Sequence, residues 1–249
     1  MEVINDLVGY KNLKIIQNTE WFSFSLDSVL LPYFVENKAN YKKIVDFCTG
    51  NAPIPLILSR KFKSKIYGIE LLPEICDLAI KSVAINQLQG QIEILNMNIK
   101  DVRNVFTSDS VDLITCNPPY FKETANNKKN TNIQKTIARH EVRIKLAEII
   151  EMAKIILKNK GSLVMIHRTE RLIEIIKLMK DNNIEPKRLC FIYPKQGTLS
   201  NMILIEGIKN AKGGLKVLSP IITHNDDGSY TDEVLDIFNY EVSNENKKL

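Results

Sequence analysis

Asn117-Pro118-Pro119-Tyr120 directly follows the strand-like run Val111-Asp-Leu-Ile-Thr-Cys116. Proline has no N–H and a fixed φ, so two in succession end a strand's ladder and turn the chain outward. In open α/β sheets the carboxyl ends of the strands are where ligands bind. An Asn amide there offers one acceptor and two donors in a plane. The rigid turn can aim a backbone carbonyl beside it, and Tyr120 adds an aromatic face. Two carbonyl oxygens and a stacking ring suit a planar –NH2 target, on a base or on an amide. The bland alternative is a strand-ending Pro-Pro turn followed by a core tyrosine.

A second constellation precedes the first. Val45-Asp-Phe-Cys-Thr-Gly-Asn-Ala52, with Asp46, Cys48, Gly50 and Asn51, has the form of a tight turn after a first strand. Glu70, followed by Leu71, closes the run Ile66-Tyr-Gly-Ile-Glu70, 20 residues beyond Gly50. Nucleotide-binding strand–turn–helix units place a ribose-binding acid at about that interval. A carboxylate suits the role because it can accept two hydroxyl hydrogens at once. Asn98, in Leu95-Asn-Met-Asn-Ile-Lys100, ends a third strand, where an amide can pair with an adenine edge. An ordinary post-strand turn is the alternative for Asn98, and Asp101 competes for the same role. Cys48 and Ala52 stand where a Gly-x-Gly-x-Gly turn would carry glycines, which leaves Gly50 alone. Turn, Glu70, Asn98 and Asn117–Tyr120 each fall at a strand's carboxyl end and in order. A nicotinamide enzyme of Rossmann type is the competing reading.

These residues need a scaffold, and the patterning predicts one. Residues 44–47, 66–69, 92–95, 111–116 and 161–166 read as strands, and 53–62, 73–87 and 144–158 as helices between them. In the second helix Ile75, Leu78, Ala79, Val83 and Ile85 keep near-helical spacing behind Pro73. Gly161 stands where a stop for the third helix is expected. A further helix covers 171–181, an antiparallel pair at the sheet edge covers 189–193 and 202–207, and 231–238 reads as a last helix. Such alternation implies an α/β fold with a doubly wound, mostly parallel sheet. The expected organisation is an N-terminal extension over 1–40, a catalytic domain over 41–240 and a polar tail over 241–249.

The 249 residues are 44% hydrophobic and 25% charged, which suits one large α/β domain. No apolar run approaches the ~20 residues of a membrane span, and the N-terminus lacks the layout of a signal peptide. Cys48, Cys76, Cys116 and Cys190 are scattered without a Cys-x-x-Cys pair, so neither a metal site nor a disulfide framework is expected, and the expected home is the cytoplasm. Between Phe121 and Lys145 seven positive residues face two acidic ones, which leaves +5, the whole net charge of the chain. A basic segment behind the Asn117 turn fits a polyanion-binding rim, with Lys122, Lys128, Lys129 and Arg139 as its phosphate candidates. A solvated loop is the alternative. The same two readings apply to Lys195 and to Lys187-Arg188.

Asn117–Tyr120 is similar to the Asn-Pro-Pro-Tyr motif of S-adenosylmethionine (SAM) methyltransferases that modify exocyclic or amide nitrogens. Gln17-Asn-Thr-Glu-Trp-Phe-Ser-Phe-Ser-Leu-Asp-Ser-Val-Leu-Leu31, Ile137-Ala-Arg-His-Glu141, Pro186-Lys-Arg-Leu189 and Gly228-Ser-Tyr-Thr231 extend the likeness. From about residue 17 to 239 the chain resembles the bacterial tRNA(Val) adenine-N6 methyltransferases that act at position 37, beside the anticodon. It departs at Cys48, Ala52 and Asn98, where that family more often carries Gly, Gly and Asp. The resemblance implies a class I, Rossmann-like methyltransferase fold with a seven-stranded sheet, SAM as cofactor and the tRNA anticodon arm as partner. It implies that Asn117 and the Pro118 carbonyl hold the adenine amine and that Tyr120 stacks on the flipped base. Asp27 would touch the cofactor's amino group or order the loop over it, the alternative being an N-cap for a helix starting at Ser28. Three rivals share the motif or the fold: a protein-glutamine methyltransferase, a DNA or rRNA amino-methyltransferase, and an RNA-binding protein without catalysis.

Overall fold

A computed structural model of the chain describes residues 1–7, 10, 12–19, 25–37, 41–119 and 144–238. The strands that alternate with helices form one sheet. Its elements are β3 (Lys43–Phe47), α2 (Pro53–Lys61), β4 (Lys65–Glu70), α3 (Pro73–Ile85), β5 (Ile92–Asn96) and β6 (Val111–Cys116), then α4 (Leu146–Ile156), β7 (Leu157–Arg168), α5 (Leu172–Asp181), β8 (Ile184–Lys195), β9 (Met202–Lys209), β10 (Lys216–Val217), β11 (Ile221–His224) and α6 (Asp232–Phe238). Ahead of them stand a hairpin, β1 (Glu2–Asp6) and β2 (Lys14–Asn18), and α1 (Asp27–Phe34).

The sheet runs β10-β8-β9-β7-β6-β3-β4-β5. From β5 to β7 every neighbour is parallel, while β9 is antiparallel to both β7 and β8. The seven strands from β5 to β8 are the expected mostly parallel sheet with its antiparallel pair. The pair is not the outermost element, however. β10 and β11 both run parallel to the outer side of β8 and extend the sheet.

Side chains alternate between two cores. Ile44 and Leu113 join a cluster with α1, α2 and α3, and their neighbours Val45 and Ile114 join one with α4, α5 and the 3-10 turn Ile99–Asn104. Residues buried on both faces explain the continuous apolar runs of the parallel strands. Pro73 occupies the first turn of α3 as expected, where its missing N–H costs no helical bond.

Three expectations are corrected. α4 ends at Ile156 and passes straight into β7, so Gly161 lies inside a strand rather than behind a helix. There the pairing with β6 shifts register, and a Cβ on residue 161 would stand 2.9 Å from the Lys158 carbonyl. Glycine is needed for close approach and not as a stop. Next, α1 begins at Asp27 with Leu26 at its cap and no side-chain capping bond, so Asp27 is not an N-cap. Its charge sits in the first turn, where the helix dipole favours it. Last, Arg188 is no surface lysine-like contact. Its Nη1 donates to Glu206 Oε2 at 3.1 Å and to the Phe34 carbonyl at 3.2 Å, and its guanidinium lies 4.3 Å from the Phe34 ring centroid. Together with Lys61, whose Nζ donates to the carbonyls of Pro32, Tyr33 and Val35, it satisfies the carboxyl end of α1. Burial, with the Arg188 charge beside it, lowers the Lys61 pKa to about 8.

The hairpin is fastened to α3: Ile16 N–H donates to Ser82 Oγ at 3.0 Å and Lys14 N–H to Asn86 Oδ1 at 2.9 Å. No helix among the described residues is long and apolar enough to cross a membrane.

Candidate active site

After β3 the chain builds β4 and β5 outward on one side, then crosses to β6 on the other. The order therefore reverses between β3 and β6, and the reversal point of such a sheet is where its crevice opens. Both constellations meet there. Phe47 pairs with Cys116 across β3 and β6, so the turn 48–52 and Asn117 leave adjacent strand ends together. Asn117 is half-buried and Pro118 buried. Tyr120, Lys122, Lys128, Lys129 and Arg139 lie outside the described residues.

The turn keeps a glycine-like path without the glycines. Cys48, Gly50 and Ala52 all have positive φ, at 57°, 58° and 71°. For the two residues with a Cβ this conformation costs on the order of 1 kcal/mol each. Three contacts hold it. Thr49 N–H donates to the Ile69 carbonyl at 3.0 Å, Gly50 N–H donates to Glu70 Oε2 at 3.0 Å, and the Asn51 amide donates to the Ile16 carbonyl at 2.9 Å. Asn51 thus ties the turn to the N-terminal hairpin. Gly68 is a contributor that the sequence reading missed. A Cβ there would meet Thr49 Oγ1 at 2.9 Å and Ile94 Cδ1 at 2.8 Å, so glycine is what lets Thr49 settle on β4. A lone Gly inside a predicted strand was the available signal.

Glu70 is buried, and its other oxygen accepts from Leu72 N–H at 2.9 Å, with Leu71 N–H also directed at it. Burial raises its pKa, against the lowering effect of these backbone donors. Three backbone N–H groups thus occupy most of the carboxylate's four lone-pair positions, and what remains is for a hydroxyl donor. The space beside the turn is open, since a Cβ on Gly50 would meet nothing within 4 Å. Asp46, wholly buried, accepts from Thr49 Oγ1 at 2.7 Å and from Thr115 Oγ1 at 2.6 Å. Burial pushes its pKa up to about 7, the two hydroxyls hold it down, and the Glu70 charge raises it further. Asn98 follows β5 at the same sheet end. Its Oδ1 accepts from Lys100 N–H at 3.0 Å and so caps the 3-10 turn, which gives it the geometry of the post-strand turn alternative. Cys48 and Cys116 are thiol hydrogen-bond partners, and burial first, then Cys48, keeps the Cys116 pKa well above the usual thiol value. Asp27, at the start of α1, is half-buried.

Comparison with known proteins agrees with this geometry. Residues 24–182 match the family described as methyltransferase small domain. A Porphyromonas gingivalis protein named tRNA1(Val) (adenine(37)-N6)-methyltransferase is 28% identical over 176 residues, 68% of either chain. A protein of the same name from Cytophaga hutchinsonii is 22% identical and covers 80% of this chain and 82% of its own. Among solved structures, one described as a predicted O-methyltransferase from Agrobacterium tumefaciens superposes with a TM-score of 0.68 at 20% identity. That match covers 86% of this chain and 95% of the other, and it shows the shared fold. The family match spans well over half of the sequence and contains the turn 48–52, Glu70 and Asn117. The chain belongs to the methyltransferase small domain family, and it is an S-adenosylmethionine-dependent methyltransferase.

Proposed function

We propose that the protein methylates the N6 amine of an adenine in the tRNA anticodon loop, at position 37 of tRNA(Val), in the cytoplasm. The observation that carries this reading is the pairing of Phe47 with Cys116, which sets the Asn117-Pro118 turn beside the cofactor turn. The names of the relatives supply the nucleic acid. In this reading residues 41–240 form the catalytic domain, 1–40 pack on it as an extension, and 241–249 are a tail.

Glu70 would hold the ribose hydroxyls, the turn at Cys48, Gly50 and Asn51 would follow the cofactor's backbone-facing edge, and Leu71 and Asn98 would flank its adenine. Asp27 would stand near its amino group. When bound, SAM supplies a methyl group on a sulfonium, whose C–S electron pair stays with sulfur as the N–C bond forms. The protein's task is to make a poor nucleophile attack. An adenine amine shares its lone pair with the ring. The Asn117 side-chain oxygen and the Pro118 carbonyl accept its two hydrogens and favour the pyramidal, nucleophilic form. Tyr120 stacks on the base, and the proton released from N6 passes from these acceptors to water. Positioning and electrostatics then supply most of the acceleration. The base must leave its stack to be reached, which costs little in a loop. Lys122, Lys128, Lys129 and Arg139 would hold phosphates, which positions the RNA without reading its sequence.

Labelled SAM and total tRNA, followed by nuclease digestion and mass spectrometry, test the reading. The expected product is N6-methyladenine beside the anticodon of one tRNA. Label in a protein or rRNA fraction instead would move the substrate to a rival that uses the same motif. Asn117→Ala should lower transfer by about 10²–10³-fold, the size seen when one aimed polar group is lost, and leave SAM binding nearly intact. Unchanged turnover in that variant would end the assignment.

A further inference from the structure

The β3–β6 ladder ends at the pair Phe47–Cys116. Beyond that rung no strand pairing holds the cofactor turn against the Asn117 turn. Besides the contact between the Cys48 and Cys116 thiols, a buried carboxylate bridge stands at this level. Asp46, on β3, places Oδ2 on the Thr49 hydroxyl at 2.7 Å and Oδ1 on the Thr115 hydroxyl at 2.6 Å. Thr49 belongs to the cofactor turn and rests against Gly68. Thr115 stands two residues ahead of Asn117. The carboxylate has no exposed surface, and each oxygen is turned toward a hydroxyl of the protein.

We propose that Asp46 and Thr115 are positioning residues, and that the Thr49–Asp46–Thr115 bridge fixes the separation between the cofactor turn and the Asn117-Pro118 turn. The inference rests on the methyl-transfer reading above and deepens it. It assigns Asp46 to the scaffold of the site rather than to contact with the cofactor. In-line transfer between two bound partners depends on their spacing, and a misplacement of about 1 Å can cost about 10²-fold in rate. The bridge is anchored on both sides of the reversal point, so slack in it would appear as misalignment of donor and acceptor rather than as loss of either. The titratable groups around Asp46 are Glu70 from β4 and Cys116 from β6, with Cys48 against Cys116.

Thr115→Val keeps the β-branched shape and deletes the hydroxyl, and Thr115→Ser keeps the hydroxyl. Three readouts are compared: turnover on tRNA, SAM affinity by calorimetry, and the pH midpoint of the Asp46 carboxyl carbon by ¹³C NMR on the protein without cofactor. Thr115→Val should lose about tenfold or more in kcat while SAM affinity moves by less than about threefold, and Thr115→Ser should stay within about threefold of the parent in both. The carboxyl midpoint, about 7 in the parent, should move upward in Thr115→Val, because a hydrogen bond to the charged form has been removed. An unchanged kcat, a SAM affinity that falls in step with kcat, or a serine variant as impaired as the valine would each overturn the proposal. If the parent protein transfers no methyl to tRNA, the functional reading fails by itself. An unmoved carboxyl midpoint in Thr115→Val would then overturn the bridge on its own.

Discussion

Two of the carboxylates buried in this sheet, Asp46 and Glu206, are treated oppositely. Glu206, on β9, is 1% exposed, yet it meets the Arg188 guanidinium at 3.1 Å and the Ser162 hydroxyl at 2.9 Å. Asp46, on β3, is fully buried and meets only hydroxyls, with the Glu70 carboxylate as its charged neighbour among the groups that shift it. On the outer flank the protein supplies its own counter-charge. At the reversal point it supplies dipoles and leaves the charge uncompensated, a pattern found where perturbed groups serve function. A cation brought into the crevice would favour the ionised Asp46.

Breaking the compensated pair should cost most. Arg188→Ala removes the charge that faces buried Glu206 and the stacking on Phe34. A loss of about 3–5 kcal/mol is expected for opening a buried pair from one side, measured by urea unfolding at pH 7. A loss near zero would mean that the flank tolerates an uncompensated charge as the reversal point does, and the contrast would dissolve.

The pH dependence of stability sharpens the same contrast at an intermediate scale. The Asp46 pKa stands at about 7 in the folded chain against 3.8 for the ordinary group. A raised pKa means that the folded state holds the proton more tightly. The stabilisation is therefore complete below pH 4 and is lost as pH rises through 7. Between those limits Asp46 contributes a slope of at most about 1.4 kcal/mol per pH unit. Unfolding midpoints at pH 5 and pH 8 should differ less in Asp46→Asn than in the parent protein. Glu70 is shifted in the same direction, so some slope should remain. Equal slopes in both proteins would place the titration elsewhere.

What the sequence made legible follows the same division. Strands β3 to β7 and helices α2 to α5 announce themselves because each buries a continuous face, and Glu70, Gly50 and Asn117 follow from their order along that pattern. The hairpin does not, since four of the five residues of β1 are exposed and carry no face to detect. β10 has two residues, too few for any period. Arg188 reads as surface because its partner Glu206 comes 18 residues later and on another strand. The bridge from Asp46 to Thr115 spans 69 residues, and nothing local to either residue marks it. Order along the chain exposed the ends of the strands, and tertiary contact decided what each buried polar group was for.

The smallest expected effect concerns Cys48, where the sequence departs from the glycine pattern. Its φ of 57° is one that a Cβ disfavours, and glycine relieves this at the expense of a looser unfolded chain. The two contributions oppose each other and each is on the order of 1 kcal/mol or less. The thiol also touches Cys116 and packs on the core beneath, so its removal gives back part of the gain. Cys48→Gly should therefore change unfolding free energy by less than about 1 kcal/mol in either direction. SAM affinity should stay close to that of the parent protein, because Gly50 N–H and Glu70 hold the turn without help from residue 48. A large loss of SAM affinity in Cys48→Gly would show that the thiol itself lines the cofactor's path, and the turn could then no longer be regarded as a glycine loop that merely carries a tolerated side chain.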